Sequence, residues 1–165
     1  MKIVSFYCDI DGKTYYSNCA EILRENCEIM GYDNMIVSRC YGDTWIENVR
    51  AKPLFIKEML ETFNEDIIML DVDSEITRKF PKAKYGWGVM LRQDGSPHDF
   101  IHCIKNTAVN YDFVCEWIKE VETTTGGSHS AFINIYESLN TFVIPDGYFK
   151  LGVAETKSKT QHFKK

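Results

Sequence analysis

Two aspartates, Asp71 and Asp73, stand two residues apart at the end of a continuous apolar run, Ile67-Ile68-Met69-Leu70. Such a run is what a strand buried on both faces looks like. In an open α/β sheet the carboxyl edge of the strands is where ligands sit. A hard divalent cation takes oxygen ligands, keeps part of its water and bridges substrate phosphates. Carboxylates at this spacing in a loop can reach such a cation, one directly and the other through water or a ribose hydroxyl. Asp71, Val72 and Asp73 therefore read as a place for manganese or magnesium and a diphosphate, against the plainer reading of a polar turn after a strand.

A second pair, Asp9 and Asp11, lies in Phe6-Tyr7-Cys8-Asp9-Ile10-Asp11-Gly12-Lys13-Thr14. This stretch resembles the nucleophile motif of haloacid-dehalogenase phosphatases, in which the first Asp attacks phosphorus and the second is the acid/base. The later lysine and paired acids of that family have no convincing counterpart here. Lys82 and Lys84 lack a following acidic pair.

The elements that must position these residues follow from hydrophobic periodicity. Residues 3–8 form a short β-like run. Cys19, Ile22, Leu23, Cys27 and Met30 recur at helical spacing before Gly31, and residues 35–38 suit a second strand. A polar connection over 39–51 leads to Pro53 at a helix start. Ile56, Met59, Leu60 and Phe63 line that helix, with Asn64 as terminator. The order βαβαβ favours a parallel sheet. Residues 87–91 and 100–104 make an antiparallel pair around Gln93-Asp94-Gly95-Ser96-Pro97. Phe113, Val114, Trp117, Ile118 and Val121 mark a further helix. Ser128 or Ser130 caps the next one, and residues 142–144 form a last strand. The expected fold is α/β: one domain over residues 1–155, a mainly parallel twisted sheet flanked by helices, with a small antiparallel element. A polar tail over 156–165 follows.

Several pieces fall in an order that resembles the nucleotide-diphospho-sugar transferases of GT-A fold, the DxD-containing glycosyltransferases. They are Tyr16 with Ala20 and Leu23, Gly42-Asp43-Thr44-Trp45, Lys52-Pro53-Leu54-Phe55-Ile56, Asp71-Val72-Asp73-Ser74, Asn106-Thr107 with Trp117, and Val143-Ile144-Pro145-Asp146-Gly147-Tyr148. The resemblance covers residues 2–150. It implies transfer of a sugar from a UDP- or GDP-sugar to an acceptor: a glycan, a protein, a small molecule or a modified nucleic-acid base. It also implies that Asp71 and Asp73 hold the metal, with His162 as a further ligand. Asp73 and His129 would be the residues nearest the reaction, and Tyr7, Tyr16, Arg39, Lys52, Asp71 and Val72 would bind the donor. Where relatives carry an acidic residue with Gln, this chain has Gly126-Gly127-Ser128-His129-Ser130, which makes His129 the candidate contact to acceptor or sugar. His98 and His102 read as ordinary polar residues. A non-catalytic nucleotide-binding module is the remaining alternative.

Bulk properties narrow the field. The chain of 165 residues is 44% hydrophobic and 26% charged, which suits an ordinary globular domain rather than a disordered one. Its net charge of −5 argues against general nucleic-acid affinity. No apolar run approaches the ~20 residues of a membrane helix, and the start is a poor signal peptide, so a cytoplasmic location is expected. Self-association is left open. Six cysteines occur singly without a CxxC pair, so reduced, mostly buried thiols are expected. Lys157, Lys159, Lys164 and Lys165 collect beside His162, which makes the tail a candidate lid over a bound donor.

Overall fold

The computed structural model describes residues 1–10, 12–80 and 86–152. The chain runs β1 (Lys2–Tyr7), α1 (Tyr15–Met30), β2 (Asn34–Ser38), α2 (Trp45–Arg50), α3 (Lys52–Phe63), β3 (Ile67–Leu70), β4 (Ser74–Ile76), β5 (Trp87–Val89), β6 (Ile101–Ile104), α4 (Ala108–Thr123), α5 (Ser128–Ile135), β7 (Thr141–Val143) and β8 (Phe149–Leu151). Six strands form one sheet in the order β2-β1-β3-β6-β5-β7, and β4 with β8 forms a small antiparallel sheet. β2, β1 and β3 are mutually parallel, as the βαβαβ order requires. β6 runs antiparallel to both β3 and β5, and β5 pairs parallel with β7.

Alternation along the central strands divides the core into two layers. Ile3 and Ile68 face α1, where Ala20, Leu23 and Cys27 meet them. Val4, Ile67 and Met69 face the other side, against Phe55, Ile56, Trp117 and Phe132 of α3, α4 and α5. Helices thus cover both faces. The helix ends follow their residues: α1 stops at Gly31 (φ 65°) and α3 at Asn64 (φ 49°), both left-handed.

Four details depart from expectation. The connection over 39–51 contains α2, because Thr44 and Glu47 form a reciprocal capping box. Strand β4 follows Asp73 at once, and β8 pairs with it. The segment holding Asp71 and Asp73 is therefore pinned at both ends: Asp71 N–H donates to Phe100 O at 2.8 Å, and Gly152 N–H donates to Asp73 O at 2.9 Å. Gly127 rather than Ser128 or Ser130 is the N-cap of α5, because the Ser128 hydroxyl turns inward. Cys8 and Cys40 form a disulfide instead of remaining thiols, since neighbouring strands β1 and β2 end side by side. Cys19, Cys27, Cys103 and Cys115 are free.

Candidate active site

A cavity of about 210 Å³ opens at the carboxyl ends of β1 and β3, below the starts of α1 and α2. Tyr7, Tyr16, Lys52, Asp71, Val72 and Asp73 all line it. It also holds two residues that the sequence reading did not single out for a role, Trp45 and Asp99.

Lys52 opens α3 and is 5% exposed. Its Nζ lies 2.7 Å from Asp71 Oδ1, 3.1 Å from Asp99 Oδ2 and 2.5 Å from Asp99 O. An ammonium carries three donors, so all of its protons are engaged inside the protein. Burial alone would discharge this lysine, but the Asp71 and Asp99 carboxylates outweigh it and hold its pKa above the ordinary value. Burial likewise pushes against ionisation of Asp99. There the Lys52 ammonium and the bonds from His102 and Ser128 prevail, and the carboxyl sits below the usual range. Asp71 goes the other way: burial raises it, with the Asp99 charge adding to the effect against the opposing pull of Lys52. Protein surrounds Asp71 closely, yet 36% of its side chain stays open through the cavity.

Behind Asp99 the network continues inward. The Trp87 indole N–H donates to His102 Nδ1 at 3.2 Å. Indole can only donate, so Nδ1 is the acceptor and the proton resides on His102 Nε2, which donates to Asp99 Oδ1 at 2.9 Å. His102 is therefore neutral, in keeping with the burial that pushes its pKa down. Ser128 Oγ donates to Asp99 Oδ2 at 2.8 Å, and Trp117 holds Ser128 through its carbonyl at 2.9 Å. Asp99 is the hub through which β6, α4 and α5 position Lys52, and Lys52 in turn positions Asp71.

No protein-family model and no curated protein matches the sequence. Solved structures do match its fold. One is a glycosyltransferase involved in glycosylation of the major capsid of PBCV-1, with a TM-score of 0.70 at 11% identity over 98% of this chain and 99% of that one. Another is the glycosyltransferase GlyE of Streptococcus pneumoniae TIGR4, with a TM-score of 0.56 at 13% identity over 98% of this chain and 50% of that one. This chain has a glycosyltransferase-like fold.

Within this glycosyltransferase-like fold the remaining candidates lie apart from the cavity. Arg39, exposed after β2, is held by Glu58 on α3 and by the Tyr41 hydroxyl at 3.2 Å. It is not among the cavity's lining residues. His129 is half-buried in the first turn of α5 and also outside the lining. Burial lowers its pKa, and its Nδ1 finds no partner among the described residues. His162, Asp11 and the lysine-rich tail lie outside the described residues. Asp9 accepts backbone N–H groups of Tyr16 at 2.9 Å and Ser17 at 3.2 Å, so its carboxylate caps the start of α1.

A divalent cation in this cavity would find its ligands in Asp71 and Asp73. Asp71 meets Lys52 through Oδ1, and Asp73 lines the same cavity. Magnesium-like ions use one or two carboxylates and take the rest from waters and substrate phosphates. Among the described residues no group of three His, Cys, Asp or Glu converges on one point. No helix among them is long and apolar enough to cross a membrane.

Proposed function

We propose that this chain is a glycosyltransferase that binds a nucleotide-diphosphate sugar, of UDP or GDP type, in the cavity beside Asp71 and Asp73 and passes the sugar to an acceptor. The observation that carries the reading is the placement of both carboxylates on one cavity at the carboxyl edge of β1 and β3, in a glycosyltransferase-like fold. Asp71 and Asp73 would hold manganese or magnesium. Bound there, the cation supplies Lewis acidity against the charge that develops on the leaving diphosphate. The chain's own contribution is preorganisation. Lys52 is saturated by Asp71 and Asp99, so it acts on the donor through Asp71 rather than by a phosphate contact of its own. The β4–β8 pair and the backbone bonds at Asp71 and Asp73 keep the carboxylates in place, which lowers the reorganisation needed during transfer.

His129 lies in the first turn of α5, outside the cavity lining. It is the candidate contact to the acceptor or the transferred sugar.

A thermal-shift panel of nucleotide sugars, each with and without Mn²⁺, tests the reading. A ligand at a hundred times its Kd stabilises the native state by about 2.7 kcal/mol, enough for a clear rise in Tm. A UDP- or GDP-sugar that raises Tm only with Mn²⁺ supports the proposal; no shift with any member of the panel removes it.

A further inference from the structure

Trp45, the first residue of α2, lines the cavity with 59% of its surface exposed. The other two of the three tryptophans, Trp87 and Trp117, are wholly buried. An indole left in water forgoes the large gain that its burial brings. Trp45 is nevertheless held in one place. The Thr44–Glu47 capping box fixes the start of α2, and the indole N–H donates to the Tyr16 hydroxyl at 3.2 Å, which ties α2 to α1.

Much of the remaining lining is apolar, with Phe6, Ile10, Val49 and Met69 among it. Asn48 also lines the cavity, but its amide is committed: Nδ2 donates to Gly42 O and Thr44 O, and Oδ1 accepts from Tyr41 N. A sugar ring needs hydrogen-bond partners for its hydroxyls and finds few among these side chains. A flat heteroaromatic ring needs a face to stack on and finds one. Tyr16 accepts from Trp45 and so still has its own O–H to donate.

The geometry points to Trp45 as the stacking platform for the nucleobase of the donor, with Tyr16 as its tether and as a hydrogen-bond donor to the bound nucleotide. This assignment rests on the reading of the cavity as a nucleotide-sugar site. It gives the cavity two roles: carboxylates for the diphosphate, and a bracket of Trp45 and Tyr16 for the base.

Trp45 is the tryptophan that an aqueous quencher reaches, which makes the test direct. Iodide quenching of the 165-residue chain is measured with UMP, GMP, ribose 5-phosphate, glucose and galactose. UDP and GDP affinities in Mn²⁺ are then measured for wild type, Trp45→Ala and Trp45→Phe, with urea melts to confirm folding. A nucleoside monophosphate should shield the exposed indole, whereas ribose 5-phosphate and the free sugars should not. Trp45→Ala should weaken the bound nucleoside diphosphate about tenfold or more, as loss of a base–aromatic stack does, and Trp45→Phe should retain most of the affinity. Unchanged affinity in folded Trp45→Ala overturns the assignment and leaves the donor site standing. Shielding by free sugars but not by monophosphates overturns it in favour of an acceptor platform. If wild type binds no nucleotide at all, the donor-site reading falls and this inference with it.

Discussion

Lys52 Nζ sits 2.7 Å from Asp71 Oδ1, so the first carboxylate of the Asp71-Val72-Asp73 segment is held from beneath by an ammonium with no proton to spare. That contact joins the start of α3 to the end of β3. Its other side is Asp99, which makes Lys52 the shared cation of two acids. Removing one partner of a buried pair leaves an uncompensated charge and costs about 3–5 kcal/mol. Lys52→Met should lower stability by about that amount, because Asp71 and Asp99 then face each other without a cation. Adding Asp99→Asn should recover part of the loss. Urea unfolding of the two single variants and the double variant checks the coupling. Simple additivity would show that the pair does not interact as described.

Asp73→Ala should abolish Mn²⁺-dependent binding of a nucleoside diphosphate while the protein stays folded. The residue is only half-buried at the cavity edge, and its backbone carbonyl rather than its side chain holds Gly152. Calorimetric titration with UDP and GDP reads the loss. Wild-type affinity in the folded variant would remove Asp73 from the site.

The acid side of the stability curve should carry the signature of His102. Its folded pKa lies below the ordinary value because burial disfavours the imidazolium. The unfolded chain therefore takes up the proton first as pH falls through about 6.5, and stability drops there. Burial depresses His98 and His129 in the same sense. Asp99, depressed in the folded state, keeps its contribution above about pH 3.9 and loses it only as pH falls further. Asp71, raised by burial, acts in the opposite sense and softens the decline. Nitrogen-15 NMR of the imidazoles should show His102 neutral, protonated on Nε2, in folded protein at pH 6. An imidazolium signal for His102 at that pH would contradict the tautomer set by Trp87.

Protein denatured without reductant should expose four titratable thiols, rising to six after reduction. Cys40→Ser should cost about 3–4 kcal/mol, the loop-entropy estimate for a bridge spanning 32 positions. Six reactive thiols before reduction would show that Cys8 and Cys40 are not bonded.

Asp9→Ala should reduce stability by about 1 kcal/mol through loss of the cap on α1. Wild-type protein with Mg²⁺ should release no phosphate from a generic ester. Turnover that disappears in Asp9→Ala would favour the phosphatase chemistry over the cap.

Much of the framework is local and was legible along the chain. The apolar run 67–70 reads as a doubly buried strand, and the acids after it stand where that strand leaves the sheet. Gly31 and Asn64 end their helices because each adopts a left-handed conformation. The parallel order of β2, β1 and β3 follows from strands alternating with helices. Thr44 and Glu47 stand at capping-box spacing, but the stretch around them reads as a polar connection, and the helix they start appears only in the fold.

Tertiary structure decided the rest, because the deciding contacts join residues far apart in sequence. Asp99 reads as one more polar residue before a strand, and nothing local says that its carboxylate meets Lys52 47 positions away or Ser128 29 positions away. His102 reads as an ordinary polar residue until the sheet sets Trp87 beside it. Cys8 and Cys40 carry no spacing signal; they bond because parallel strands bring their ends together. A buried charge has to find partners wherever the fold supplies them. Residue type announced that Asp71 and Asp73 could bind something, but only packing determined which groups hold Asp71 still, and that Trp45 rather than Arg39 shares their cavity.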